Sequence, residues 1–218
     1  LSTEKMALYA APPEVKPTVI LHADGYSDFF FREVTPAELE QRIDNAKATG
    51  VFAYDWCVGT SAVNYPSKVA TEFGQQKDVK FYRDGDRLAA ERLQQLLSTG
   101  RDPIRILRDR SQADGLRFSV TQRANAYYTN GTSMNAQYLI DHPEFFMVGV
   151  DGRKHAQPSY AYPEIRKFYL DMIREIAAYK PDAIVIEFLR HPPFFLYDPP
   201  LVAEYTRRYG KCTPGDYL

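Results

Sequence analysis

Four short apolar runs, separated by helix-forming stretches, limit what this chain can build. They read TVILHAD (Thr18–Asp24), VFAYDWCVG (Val51–Gly59), LRFSVTQ (Leu116–Gln122) and AIVIEFL (Ala183–Leu189). Each has the length and the β-branched or aromatic content of a strand. After the first run, TPAELEQRIDNAKATG supplies Thr35 as N-cap, Pro36 at the first helical position, Glu38 for a capping box and Gly50 as C-cap. In DRLAAERLQQLLSTG, Leu88, Leu93, Leu96 and Leu97 form a stripe at helical spacing, and PIRILRDRSQADG continues as a further short helix. PEIRKFYLDMIREIAAYKP opens on Pro163 and sets Ile165, Phe168, Met172, Ile173 and Ile176 on one face, while LVAEYTRRYG is a last short helix stopped by Gly210. Strands alternating with helices predict right-handed crossovers and a parallel sheet.

Two common parallel sheets compete, and the turn after the first strand decides between them. A doubly wound nucleotide-binding sheet carries a glycine-rich phosphate turn there. Here that turn is ADGYSDFFF, with one glycine and three phenylalanines, so neither a G-x-G-x-x-G nor a P-loop is present. The expectation is an α/β chain of TIM type: a parallel β/α barrel of about four β/α units, half of the eight a closed barrel uses. Residues 1–17 read as a proline-bearing arm and 18–218 as a single domain. Turns are expected at Asn130-Gly131 and Asp151-Gly152, within the long connection after the third strand. An open half-barrel exposes two strand edges and an apolar face. Either the sequence is the front half of a longer protein or a second copy completes the sheet, and a homodimer is the expected partner arrangement.

Side chains alternate along a strand, so each run sorts into two faces. Val19, Leu21 and Ala23 take one face of the first strand and Ile20, His22 and Asp24 the other. Phe52, Tyr54 and Trp56 oppose Ala53, Asp55 and Cys57; Phe118 and Val120 oppose Ser119, Thr121 and Arg123; Ile184, Ile186 and Phe188 oppose Ala183, Val185 and Glu187. One face is bulky and apolar in all four strands. The other becomes polar toward its carboxyl end, which aims His22, Asp24, Asp55, Arg123 and Glu187 at one mouth, where barrel enzymes keep their chemistry.

Bulk composition narrows the partners. Formal net charge is −1, which gives no global attraction to nucleic acid or to an anionic membrane. No apolar run approaches the ~20 residues of a membrane helix, and the first residues lack the basic-then-apolar pattern of a signal peptide. The chain reads as soluble, and a leader removed beforehand would be compatible with secretion or the periplasm. Cys57 and Cys212 are too few for a disulfide framework and read as free thiols. Aromatic residues reach 14%, many in proline- and glycine-rich segments, where flat rings either pack loops down or offer stacking surfaces to sugars.

The phrases VILHADGYSDFF, YDWCVGTSAVNYPSKV, HPEFF and YPEIRKFYLDMIREIAAYKPDAIVIEFLRHPPFF together resemble bacterial glycoside-hydrolase-like β/α barrel proteins, uncharacterised families near family 10 and the amylase-like barrels. The likeness runs from His142-Pro143-Glu144 through Pro163-Glu164-Ile165-Arg166 to Glu187-Phe188-Leu189-Arg190. It spans essentially the whole chain as the amino-terminal half of such a barrel. Ala183 and Val185 depart from the glycine and second acidic residue of that pattern. The nucleophile of many retaining barrel glycosidases sits on a later strand that these residues do not include.

That resemblance implies a carbohydrate ligand and a pair of carboxyl groups, one donating a proton to the leaving oxygen and one acting as nucleophile or base. Glu187 is the first choice for acid/base, with Asp55 or Asp24 as its partner. An ion pair with Arg190 or Arg123 that only fastens the strand end is the structural alternative for Glu187. His22, Trp56, Arg123, Asn125, Tyr127, Tyr160, Arg190 and His191 make up the candidate substrate-binding set. Trp56 has the opposite parity from Asp55, so it reaches a sugar only if its strand has ended there. His191 stands before two prolines and serves first as part of a rigid turn. His22, Asp24, Asp55 and Glu187 are acceptable metal ligands, so a metal-dependent hydrolase is a third reading, ranked below the others because H-A-D replaces the H-x-H of amidohydrolase metal strands; no cofactor is expected. A non-catalytic carbohydrate-binding or structural barrel module stands beside the glycosidase reading.

Overall fold

The computed structural model describes residues 18–128, 132–190 and 192–210. The amino-terminal arm, the Asn130-Gly131 turn, His191 and Cys212 lie outside the described residues. In chain order the elements are β1 (Ile20–Ala23), α1 (Ser27–Phe31), α2 (Pro36–Ala48), β2 (Ala53–Gly59), α3 (Asp84–Ser98), α4 (Pro103–Asp114), β3 (Arg117–Arg123), α5 (Gln137–Asp141), β4 (Phe146–Val148), β5 (Lys154–Pro158), α6 (Pro163–Ala178), β6 (Ala183–Glu187) and α7 (Pro199–Tyr209). Strands β1, β2, β3 and β6 form one parallel sheet in that order, and β4 and β5 form a separate antiparallel hairpin. The alternation of strand and helix therefore produces the parallel β/α arrangement of a partial barrel.

Helix boundaries follow the capping chemistry. The Thr35 hydroxyl accepts from the Glu38 amide while Glu38 accepts from the Thr35 amide, the full capping box at α2. Asp102 caps α4 through Ile104 N and Arg105 N, and Gly115 closes it in the left-handed region at φ 68°. Helix α3 begins two residues before the Asp86 expected from the leucine stripe, because the Arg83 and Asp86 pair cap it. Four elements go beyond the sequence reading. The aromatic loop after β1 winds into α1, and the long connection holds α5 and the β4–β5 hairpin, whose three- and five-residue strands are too short for alternation to reveal. Its turn is the expected Asp151-Gly152, with Gly152 at φ 77°.

Strand register sets residues of like parity beside one another across the sheet. His22 aligns with Asp55, Asp55 with Ser119, Thr121 with Val185, and Arg123 with Glu187. The residues sorted onto the polar face thus stand in cross-strand rows. On the other face Tyr54, Trp56, Val58, Phe118 and Val120 join one core with Leu39, Ile43, Leu93, Ile104, Leu107, Phe168, Met172 and Ile176 from the helices. Trp56 lies in this core at 1% exposure, its Nε1 donating to Asn64 Oδ1 at 3.3 Å. Strand β2 continues to Gly59, so Trp56 keeps its outward parity, and its assignment to substrate binding is corrected to core packing.

The outer strands are barely covered. β1 pairs only with β2, and β6 only with β3, among the described residues. Ile20 is 55% exposed and Ile186 50%. No helix among the described residues is long and apolar enough to cross a membrane.

Candidate functional site

The carboxyl ends of the strands open into a cleft of about 730 Å³. Asp24 and Arg123 line it from the ends of β1 and β3, Tyr82 and Arg83 from the connection entering α3, Asp86 from the first turn of α3, and Tyr127, Tyr128, Arg190 and Pro192 from the segments after β3 and β6. Gln157 of β5, Tyr26 of the β1–α1 connection and Phe30 of α1 complete most of the remaining wall.

Asp24 owes its position to a tight turn. Its Oδ1 accepts from Tyr26 N at 3.0 Å and Ser27 N at 2.8 Å, and its Oδ2 from the Ser27 hydroxyl at 2.6 Å. Burial pushes the Asp24 carboxyl up, but these hydrogen bonds and the Arg123 charge outweigh it and hold the group below the ordinary range of aspartate. Asp24 is therefore ionised at neutral pH. Gly25 is required next to it: at φ +76°, a Cβ there would stand 1.8 Å from the Cys57 carbonyl oxygen. Asn64 locks this crossing by donating through Nδ2 to the carbonyls of Gly25 at 2.9 Å and Cys57 at 3.0 Å.

Glu187 and Arg123 form the top row of the sheet. Arg123 Nε meets Glu187 Oε2 at 3.1 Å, and both side chains are largely buried. Arg123 reaches the cleft wall while Glu187 stands behind it, since Glu187 is absent from the lining. The ion pair expected as the structural alternative for Glu187 is thus present, with Arg123 as the partner.

Asp55 occupies a row further from the carboxyl ends. It is 3% exposed and accepts from Ser119 Oγ at 2.5 Å and Thr121 Oγ1 at 2.6 Å, with His22 Nδ1 2.5 Å from its Oδ2. Neither Asp55 nor His22 lines the cleft that Asp24 borders. Cys57 sits fully buried on the same face; burial pushes its thiol up to about 11, against the opposing charge of Arg123.

The remaining candidates divide between two places. Tyr127 lines the cleft, packs edge-on against Phe146 at 4.9 Å between ring centroids, and has its phenol pushed up to about 12 by burial. Asn125 is 7% exposed and ties β3 to the segment after β6, its Oδ1 accepting from Arg190 N at 3.2 Å and its Nδ2 donating to the Arg190 carbonyl. Tyr160 instead lines a second cleft with Phe194, Phe195 and Leu201, its hydroxyl donating to the Ala124 carbonyl at 2.5 Å. Its placement with the main site is corrected on that ground. His191 lies outside the described residues.

Sequence reading missed Tyr26, Tyr82, Arg83, Asp86 and Tyr128. The signal available was FYRDGD, an aromatic and charged stretch in the connection after β2, where barrels place their working side chains. Asp86 is 4% exposed, and Arg83 Nη2 meets its Oδ1 at 2.7 Å. Among the described residues no three His, Cys, Asp or Glu side chains are grouped to hold a metal ion.

No family model matches this sequence, and no curated protein matches it. Solved structures do. An α-galactosidase from Lactobacillus brevis superposes with a TM-score of 0.51 at 12% identity, over 89% of this chain and 26% of its own. A maltogenic α-amylase from Thermotoga neapolitana gives 0.49 at 14% identity, over 81% of this chain and 40% of its own. A hypothetical protein from Ruminiclostridium thermocellum gives 0.49 at 13% identity, over 79% of this chain and 78% of its own. The chain thus spans about two fifths of the amylase and about a quarter of the galactosidase. At this identity the likeness to the galactosidase shows a shared β/α fold and nothing further.

Proposed function

We propose that the cleft binds carbohydrate and supports hydrolysis of a glycosidic bond, with Asp24 and Glu187 as its two carboxyl groups. The observation that carries this reading is the convergence at one sheet end of an ionised Asp24, the Arg123–Glu187 pair and the rings of Tyr82, Tyr127 and Tyr128. Apolar ring faces stack on sugars while charged groups orient their hydroxyls. Asp24, ionised and facing the cleft, takes the role of nucleophile or water-activating base. Glu187 takes that of acid/base, reached through movement of Arg123 away from it.

A specific observation favours the second reading, a binding module without turnover. Glu187 is paired with Arg123 and stands behind the cleft wall. Asp24→Asn and Glu187→Gln separate the two. Under hydrolysis both variants lose reducing-sugar release on an oligosaccharide that the wild-type chain cleaves, yet still bind it. Binding without release by the wild-type chain establishes the module instead, and binding of no oligosaccharide removes both.

A further inference from the structure

The charges in the cleft are unevenly paired. Three guanidinium groups line it, those of Arg83, Arg123 and Arg190, against the carboxylates of Asp24 and Asp86. Asp86 is taken by Arg83, Glu187 behind the wall is taken by Arg123, and the Asp24 oxygens are filled by the Ser27 hydroxyl and two backbone amides. Arg190 is different. Its side chain is exposed, and among the described residues no carboxylate pairs with it. Its backbone, by contrast, is fixed at both polar atoms by the buried Asn125. Asn125 thus anchors the Arg190 backbone at the cleft, and the exposed side chain it carries is the cleft arginine with no carboxylate partner among the described residues.

Resting on the carbohydrate reading above, we infer that the sugar taken by this cleft is acidic, bearing a carboxylate of the uronic acid kind, and that Arg190 reads that carboxylate. The planar guanidinium fork matches a carboxylate through two parallel hydrogen bonds. A neutral sugar presents only hydroxyls, which supply no counter-charge to a guanidinium. The carboxylate supplies the counter-charge that Arg190 lacks among the described residues, and Arg190 is the specificity-determining residue.

Matched probes test this. Oligosaccharides of galacturonate, mannuronate and glucuronate-substituted xylan are titrated calorimetrically beside their carboxyl-reduced counterparts, at low and at high salt. The inference expects at least one acidic chain to bind about tenfold or more tightly than its reduced form, a preference that shrinks as salt rises. Arg190→Gln, its fold checked by circular dichroism, brings that ratio to near one. Arg190→Lys, which keeps the charge but loses the fork, retains part of it. Equal affinity for acidic and reduced chains overturns the acidic-sugar inference and leaves the carbohydrate reading standing, as does a preference that Arg190→Gln leaves intact. Binding of none of these chains, neutral or acidic, overturns both.

Discussion

Breaking the Arg123–Glu187 pair is the perturbation whose size the structure fixes best. The two groups meet at 3.1 Å with side-chain exposures of 10% and 13%. Opposite charges centred about 4 Å apart attract by about 4 kcal/mol at an effective dielectric near 20, and desolvation of both groups opposes much of that gain. Removing one partner is a different matter, because the survivor keeps its desolvation cost with nothing to offset it. Arg123→Met should therefore cost about 3 kcal/mol of unfolding free energy. Glu187→Gln should cost less, about 2 kcal/mol, since its amide oxygen still accepts from Nε. In the double variant no charge is left stranded, so its loss falls short of the sum by about 2 kcal/mol. Urea denaturation of the four proteins at pH 7, with unchanged m-values, reads this coupling directly. A coupling energy below about 0.5 kcal/mol, the range in which independent sites add, would refute the reasoning and return Glu187 to solvent.

Other outcomes follow from the same geometry. The Asp24 carboxyl is held below its ordinary value in the folded state, so the stability it contributes is complete above the unfolded value of about 3.9 and is lost as pH falls through the lower folded value; Asp24→Asn should flatten that part of the acid limb in denaturation measured between pH 5 and 2, and an unaltered limb counts against it. Trp56 is the sole tryptophan and is 1% exposed, so its emission should be blue-shifted, resist quenching by iodide and stay unchanged on adding oligosaccharide; quenching by sugar would put it back in the binding set. The edges of β1 and β6, unpaired among the described residues, lead us to propose self-association of this chain. Light scattering coupled to size exclusion should return a dimer at micromolar concentration, and a clean monomer contradicts it.

Much of the fold was legible because one physical rule acts repeatedly. Alternation along four apolar runs put His22, Asp55 and Ser119 on one face, and the register sets them side by side. Caps and stop signals at Thr35 and Gly210 placed helix ends for reasons local to the chain. The site was less legible, because alternation tells which way a side chain points and not what meets it there. Asp55 and Asp24 point the same way from neighbouring strands, yet two hydroxyls and a histidine absorb the first while the second reaches the cleft. Trp56 turned on where β2 stops, which depends on pairing with β3 as far as Gly59 and not on local composition. Tyr82 and Arg83 come to the cleft through a long connection whose path is fixed by remote contacts, among them Ser67 and the Lys68 amide donating to Glu175 of α6 at 2.5 and 2.7 Å.

The central claim is that a sugar sits at the carboxyl ends of these strands, with Asp24 at the reacting bond. A crystal structure of the Asp24→Asn chain soaked with an oligosaccharide that it binds in solution tests this most directly. The account predicts sugar density in the cleft, within hydrogen-bonding distance of residue 24 and Arg123 and against the ring of Tyr82 or Tyr127. Ordered sugar elsewhere on the molecule, with this cleft holding only water, would contradict it.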